Sequence, residues 1–287
     1  MKIRLITDST CDLTPEFLKE RGIYFESLKV LFSDAEYTDK IDLSTSDFYE
    51  KMSHATVLPT TSQVNPSAFE TRFLEVLNND EQVLALLISS ELSGTFSAAS
   101  IAKASIEELH PQFAGRITLI DSKTTSFGLG LLVIQAQDYI DQNTTMENLV
   151  NVLTANANRQ QLYGLLSTLD NLVKGGRLSA GSAFIGNLLN VKPIIEVKDG
   201  KVAVANKVRG KKKGIQWMIE QVESHYPSKH IPIIGVAHAN NLDNAAELEA
   251  ALREHFTIDQ IYIIEIGPVV GTHVGPNAMG ITFFKNL

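Results

Sequence analysis

Residues 83–102 read VLALLISSELSGTFSAASIA, and the change of character along this stretch decides the fold class. Val83 to Ile88 form an unbroken apolar run without alternation, the pattern of a strand covered on both faces. Beyond Gly94 the sequence TFSAASIAKASIEEL takes on helical spacing. Between the two lie Ser89, Ser90, Ser93, Thr95 and Ser97, five hydroxyl residues clustered around one glycine. A strand that turns through glycine into a helix leaves the first backbone N–H groups of that helix free and aimed above the strand end. Ser93, Gly94 and Thr95 therefore mark a candidate anion site. The plainer account is that Ser93 only caps the helix.

The same grammar extends outward. IRLITDS precedes LTPEFLKERG, and ITLIDS precedes GLGLLVIQAQDYI, so strand-like runs alternate with segments read as amphipathic helices. Alternation of this kind predicts an α/β fold with a mainly parallel, Rossmann-like sheet, whose ligands sit outside the carboxyl ends of the strands. Thr14 before Pro15 and Asn65 before Pro66 are cap-plus-first-turn pairs. After Gly164 the pattern shifts to the short helix LDNLVKGG, the apolar helix AFIGNLLNV and a hairpin around Asp199-Gly200, followed by further α/β material. At 287 residues one core tends to split into two. Residues 1–160 are expected to form an N-terminal α/β domain with the TTS and SGT loops. Residues 161–287 are expected to form a C-terminal α/β domain with the hairpin and the GTHVGP loop. The two pack closely, with the ligand site between them.

Composition narrows the function. Hydrophobic residues at 44% and charged residues at 20% describe an ordinary globular protein without a membrane span or a signal-peptide core, so the cytoplasm is the expected location. The one cysteine, Cys11, forms no internal disulfide and no cysteine-rich metal site. A net charge of −8 argues against nucleic-acid binding, and RGKKKG at 209–214 reads as a solvated helix start. No phosphate loop is present, and GLGLLV follows no strand directly, so its glycines read as helix packing rather than a dinucleotide fingerprint. The seven histidines make no HExxH or i, i+4 pair, so neither a metal nor a cofactor is expected.

Four segments rich in hydroxyl, Gly and His sit at expected strand ends: TDSTCD (7–12), PTTSQVNP (59–66), SSELSGTFS (89–97) and GPVVGTHVGPNAMG (267–280). His273 lies between Gly271 and Gly275 in what reads as a loop, and serves either function or a structural hydrogen bond. Asp8 reads as a carboxylate accepting backbone N–H bonds, with metal ligation or base chemistry as the other choice. Arg177 and Arg209 are surface cations, or attract an acidic partner or phosphate.

Taken in order, TDSTCDL, PTTSQ, SSELSGTFSAA, LVKGGRLS, NVKPII and GPVVGTHVGPNAMG resemble the DegV family over essentially the full length. The best understood members of that family are the fatty-acid-binding subunits of bacterial fatty-acid kinase. The resemblance implies two α/β domains that hold one long-chain fatty acid in an apolar tunnel. Its carboxylate would be held by Thr61 and Ser62 of the first motif and by Ser93, Gly94 and Thr95 of the second, with His273 close by. The resemblance gives Arg209 a contact with the partner or the phosphorylated head group, a role for which Arg177 is also a candidate. A separate ATP-binding kinase subunit would form the acyl phosphate for phospholipid synthesis. This chain would be a carrier without an ATP site, in transient contact with a membrane surface. AFIGNLLNV is a candidate tunnel wall. Asn277 stands where the family commonly has Gly, a position that calls for positive φ. The competing reading is a serine-dependent hydrolase or acyltransferase with Ser93 as nucleophile and His273 as base, although ELSGT is not the G-x-S-x-G elbow.

Overall fold

The computed structural model describes residues 1–179 and 191–286. Along the chain it sets β1 (Ile3–Asp8), α1 (Pro15–Glu20), β2 (Tyr24–Glu26), β3 (Lys29–Leu31), β4 (Glu36–Thr38), α2 (Thr45–His54), β5 (Thr60–Ser62) and α3 (Pro66–Asn78). Next come β6 (Gln82–Leu87), α4 (Thr95–Leu109), β7 (Ile117–Asp121), α5 (Ser126–Asp141), α6 (Met146–Arg159), β8 (Gln160–Leu165) and α7 (Asp170–Lys174). The remainder is β9 (Val191–Lys198), β10 (Lys201–Arg209), α8 (Lys211–His225), β11 (His230–His238), α9 (Leu242–His255), β12 (Thr257–Glu265), α10 (Pro268–Val274) and β13 (Met279–Phe284).

Among the described residues the strands form three sheets: β2-β1-β6-β7, β10-β9-β8-β13-β11-β12 and β4-β3-β5. The first is parallel throughout. Its central strand β6 explains the unbroken apolar run. Val83, Ala85 and Leu87 face Phe69, Phe73 and Ala98 of α3 and α4. Leu84 and Leu86 face α5 on the other side. Successive side chains of a strand point to opposite faces, so a strand covered twice must be apolar at every position.

Helix α5 departs from the amphipathic expectation. Residues 126–134 are all buried, because one side packs on β1 and β6 and the other on β8, β11 and β13. Over these nine residues the helix lies between two sheets and has no solvent face to make polar, whereas its last turn exposes Asp138 and Asp141. The glycines of GLGLLV do serve packing. A Cβ at Gly130 would lie 2.6 Å from the Cys11 carbonyl oxygen, and one at Gly128 would lie 2.4 Å from Thr124 Oγ1. Cys11 is buried at this contact, and burial pushes its thiol up to about 12.

The second sheet is mixed: β11 and β12 run parallel, whereas β13 pairs antiparallel with both β11 and β8. Gln160 opens β8, and every strand of the described residues from there on lies in this sheet. The Asp199-Gly200 turn joins β9 to β10 with φ of 50° and 80°, the pair of positive angles a two-residue hairpin needs. RGKKKG is indeed a helix start, at α8. No helix of the described residues is long and apolar enough to cross a membrane. The apolar segment AFIGNLLNV lies, except for Val191, outside the described residues.

Candidate functional site

Three of the four hydroxyl-rich segments converge at the end of β6. The TTS segment is a strand rather than a loop: β5 pairs antiparallel with β3, Thr61 opposite Val30. The histidine segment is likewise not a loop. Gly267 precedes α10, Pro268 is its first residue, and Gly275 with φ 75° follows its end. His273 therefore sits in the last turn of a short buried helix. Asn277 has φ 62°, and the left-handed conformation expected there is present.

These elements bring Thr61 and His273 together from opposite ends of the chain, with Oγ1 and Nε2 2.9 Å apart. The other ring nitrogen, Nδ1, is buried without a hydrogen bond among the described residues and lies over Gly175, where a Cβ would come within 2.4 Å of it. Burial, reinforced by the positive charge of Arg177, pushes the His273 pKa down to about 4. The imidazole is therefore neutral at pH 7. Gly175→Ala is expected to drive the ring off Thr61, lower stability by about 1–3 kcal/mol and raise the pKa of His273. An NMR titration of the histidine ring reads this directly, and an unchanged titration curve would rule out the packing role of Gly175.

At the head of α4 the cap position is Gly94, not Ser93, and Ser93 meets the helix start from one residue earlier. Ser93 Oγ accepts the Thr95 N–H at 3.2 Å and lies 2.9 Å from Thr95 Oγ1, which in turn accepts the Val64 N–H at 3.4 Å. Gly94 leaves room for Gln63, whose amide oxygen would sit 1.8 Å from a Cβ. Arg177 follows α7 and is pinned by two carbonyls: Nη1–H donates to Gly175 at 2.6 Å and Nε–H to Leu92 at 3.2 Å. The other hydroxyls of the opening stretch hold structure. Ser89 donates to the Gly200 carbonyl at the hairpin turn and Ser90 to Asp121, whereas Ser97 is exposed.

Thr61, Ser62, Ser93, Gly94, Arg177 and His273 line one end of a cavity of about 300 Å³. Elsewhere its walls are mostly apolar, among them Leu166, Leu172, Ile195, Val197 and Val270. That volume lies at the small end of the usual range for small-molecule sites, roughly 300–1,000 Å³. Thr95 is fully buried behind Ser93 and does not line the cavity. Arg209 is exposed at the end of β10, paired with Val191, and is likewise not on the wall. The hydrogen bond that a Ser93 nucleophile would make to a histidine base is not among the contacts of either residue. Thr61 occupies Nε2, and among the described residues no carboxylate orients Nδ1. A pKa near 4 also makes His273 a weak base.

The TDSTCD segment holds the frame rather than the cavity. Asp8 accepts the Thr10 and Ile88 N–H groups at 3.0 and 2.7 Å, the structural alternative read from the sequence. Asp12 was not singled out in the sequence, yet it accepts the Ser126 hydroxyl at 2.6 Å and the Gly267 N–H at 3.0 Å, joining the starts of α5 and α10. Gln63, which fills the space beside Gly94, was also not singled out. Its only signal was its place directly after the TTS motif. Among the described residues no cluster of three or more His, Cys, Asp or Glu could hold a metal ion.

A family model described as "Uncharacterised protein, DegV family" matches residues 2–286. A DegV domain-containing protein of Caldanaerobacter subterraneus subsp. tengcongensis is 33% identical over 282 residues, 98% of each chain. A solved structure described as fatty acid binding of a DegV family protein from Thermus thermophilus superposes with a TM-score of 0.90 at 29% identity, covering 99% of this chain and 100% of that one. DegV of Bacillus subtilis, described as a fatty acid binding protein, superposes with a TM-score of 0.86 at 30% identity, with the same coverage.

Proposed function

Because the chain belongs to the DegV family, we propose that its cavity holds one long-chain fatty acid and presents the carboxylate to a separate ATP-dependent kinase. The observation that carries this reading is the make-up of the cavity: mostly apolar walls, with Thr61, Ser62, Ser93, Gly94, Arg177 and His273 among the polar lining. The Ser62 and Ser93 hydroxyls donate hydrogen bonds to the carboxylate, Arg177 supplies the opposite charge, and neutral His273 orients Thr61 beside them. Thr95 acts one step behind, by orienting Ser93. Solved members of the family described as fatty-acid binders support the ligand class.

Magnitudes divide the labour. Burying a methylene is worth about 0.8 kcal/mol, so a dozen contribute on the order of 10 kcal/mol before the cost of association. A carboxylate at a helix N-terminus adds only about 0.3–2 kcal/mol. The tail sets affinity and the polar end sets orientation. Arg209 is exposed and outside the cavity, and in this reading it meets the kinase or the phosphorylated head group, with acyl-phosphate release at a membrane surface.

Native mass spectrometry of protein purified from a bacterial host is expected to show a bound fatty acid. Ligand-free protein that also fails to take up oleate would overturn the binding reading. With a cognate kinase and ATP, Ser93→Ala is expected to weaken retention of the acid, and His273→Ala to reduce acyl-phosphate formation more than binding. Undiminished acyl-phosphate formation in both variants would refute the assignment of the polar end.

A further inference from the structure

The cavity follows β13. The consecutive residues 278–282 all line it, a path of about 13 Å at the rise of a strand. Ala278 follows α10, which carries His273, by four residues of chain and opens the path. Thr282, at the other end of this path, pairs with Gly235 of β11. A Cβ on Gly235 would lie 2.3 Å from Phe127 Cδ1 and 2.7 Å from Thr282 Cγ2, so the Phe127 ring rests on bare backbone beside Thr282. Its far edge is accommodated by a second glycine, since a Cβ on Gly130 would lie 2.5 Å from Cδ2. The Tyr262 ring backs it with centroids 5.9 Å apart. The ring is 1% exposed, and it lines the cavity.

We infer that Phe127 is the floor of the cavity and sets the longest acyl chain the protein accepts. The inference rests on the fatty-acid reading of the cavity and adds to it the residue that measures the tail. Gly235 and Gly130 form the recess that holds the ring back from the cavity. Trimming the ring lengthens the acyl path toward Gly235 and Tyr262. Filling the recess pushes the ring forward and shortens it.

The test equilibrates delipidated protein with an equimolar mixture of saturated fatty acids of roughly 12 to 20 carbons and reads the bound distribution by native mass spectrometry. Phe127→Leu removes about three carbons and keeps an apolar side chain, so the most abundant bound acid is expected to lengthen by about two carbons. Gly235→Ala is expected to shift it the other way. Circular dichroism melts establish that each variant is folded. A folded Phe127→Leu protein with the wild-type distribution, a shift to shorter acids, or no bound acid at all overturns the floor assignment. Wild-type protein that binds no acid of the series overturns the fatty-acid reading itself, and is scored before either variant.

Discussion

Arg177→Gln is expected to weaken fatty-acid binding about 10- to 100-fold while leaving the affinity for the corresponding methyl ester unchanged. Arg177 is the cation on the cavity wall at the polar end, held there by the Leu92 and Gly175 carbonyls. Hydrogen bonds to charged groups are worth about 1.5–3 kcal/mol, and each 1.4 kcal/mol is a factor of ten in affinity. The ester keeps the apolar tail and removes the charge, so it separates the carboxylate contact from burial. Isothermal titration of both ligands reads the difference, and an equal loss for acid and ester would refute the role. A second readout follows from electrostatics. Arg177 helps hold the His273 pKa down, so its neutralisation raises that pKa from about 4.

Asp12→Ala is expected to cost about 4 kcal/mol of stability, and Asp12→Asn considerably less. The alanine leaves the Ser126 hydroxyl and Gly267 N–H without their partner, at about 1–3 kcal/mol each, and places a non-glycine side chain without local hydrogen bonding at φ 57°. Asparagine tolerates that φ and accepts one of the two bonds. Urea denaturation at fixed pH measures both, and equal losses in the two variants would show that the hydrogen bonds do not matter. The pH dependence has a definite sign. Burial raises the Asp12 pKa to about 6, against about 3.8 for the free side chain, and Lys40 and the Ser126 hydroxyl offset it only in part. The neutral acid is thus favoured by folding. Its stabilisation is complete below pH ~3.8 and is lost as pH rises through about 6. Asp39, fully buried with neither carboxylate oxygen in a good hydrogen bond, behaves the same way up to about pH 7. Wild-type stability should therefore gain from these groups on going from pH 8 to pH 5.5, and the advantage of wild type over Asp12→Asn should shrink as pH rises.

Much of the fold was legible because long elements carry their own periodicity. The β6 run, the α4 helix and the Asp199-Gly200 hairpin follow directly from burial on two faces, helical spacing and turn chemistry. Two short elements read as loops and are not, although the short helices α1 and α7 read correctly. Thr60–Ser62 is three residues of hydroxyl side chains, too short to show a period of two, and it is a strand only because β3 lies beside it. Pro268–Val274, flanked by glycine and proline, reads as a loop. It is a helix packed on α2, with a Cβ at Gly271 only 2.8 Å from Tyr49 Oη and the Tyr49 hydroxyl donating to the Ile266 carbonyl at 3.0 Å.

By itself the sequence determined the longer elements, the α/β class and the residue types at the polar end, because hydrophobic pattern, capping and glycine placement are local properties of the chain. The tertiary structure alone decided which of those residues meet. Thr61 and His273 are 212 positions apart and are neighbours only because β5 and α10 pack together. It moved Thr95 behind Ser93, set Arg177 on the cavity wall and left Arg209 outside. It also turned Asp12 and Phe127 into the joint and the floor of the site. The physical reason is that hydrogen bonding and packing act over a few ångströms of space, and chain separation carries no information about which distant segments the closed core will bring into that range.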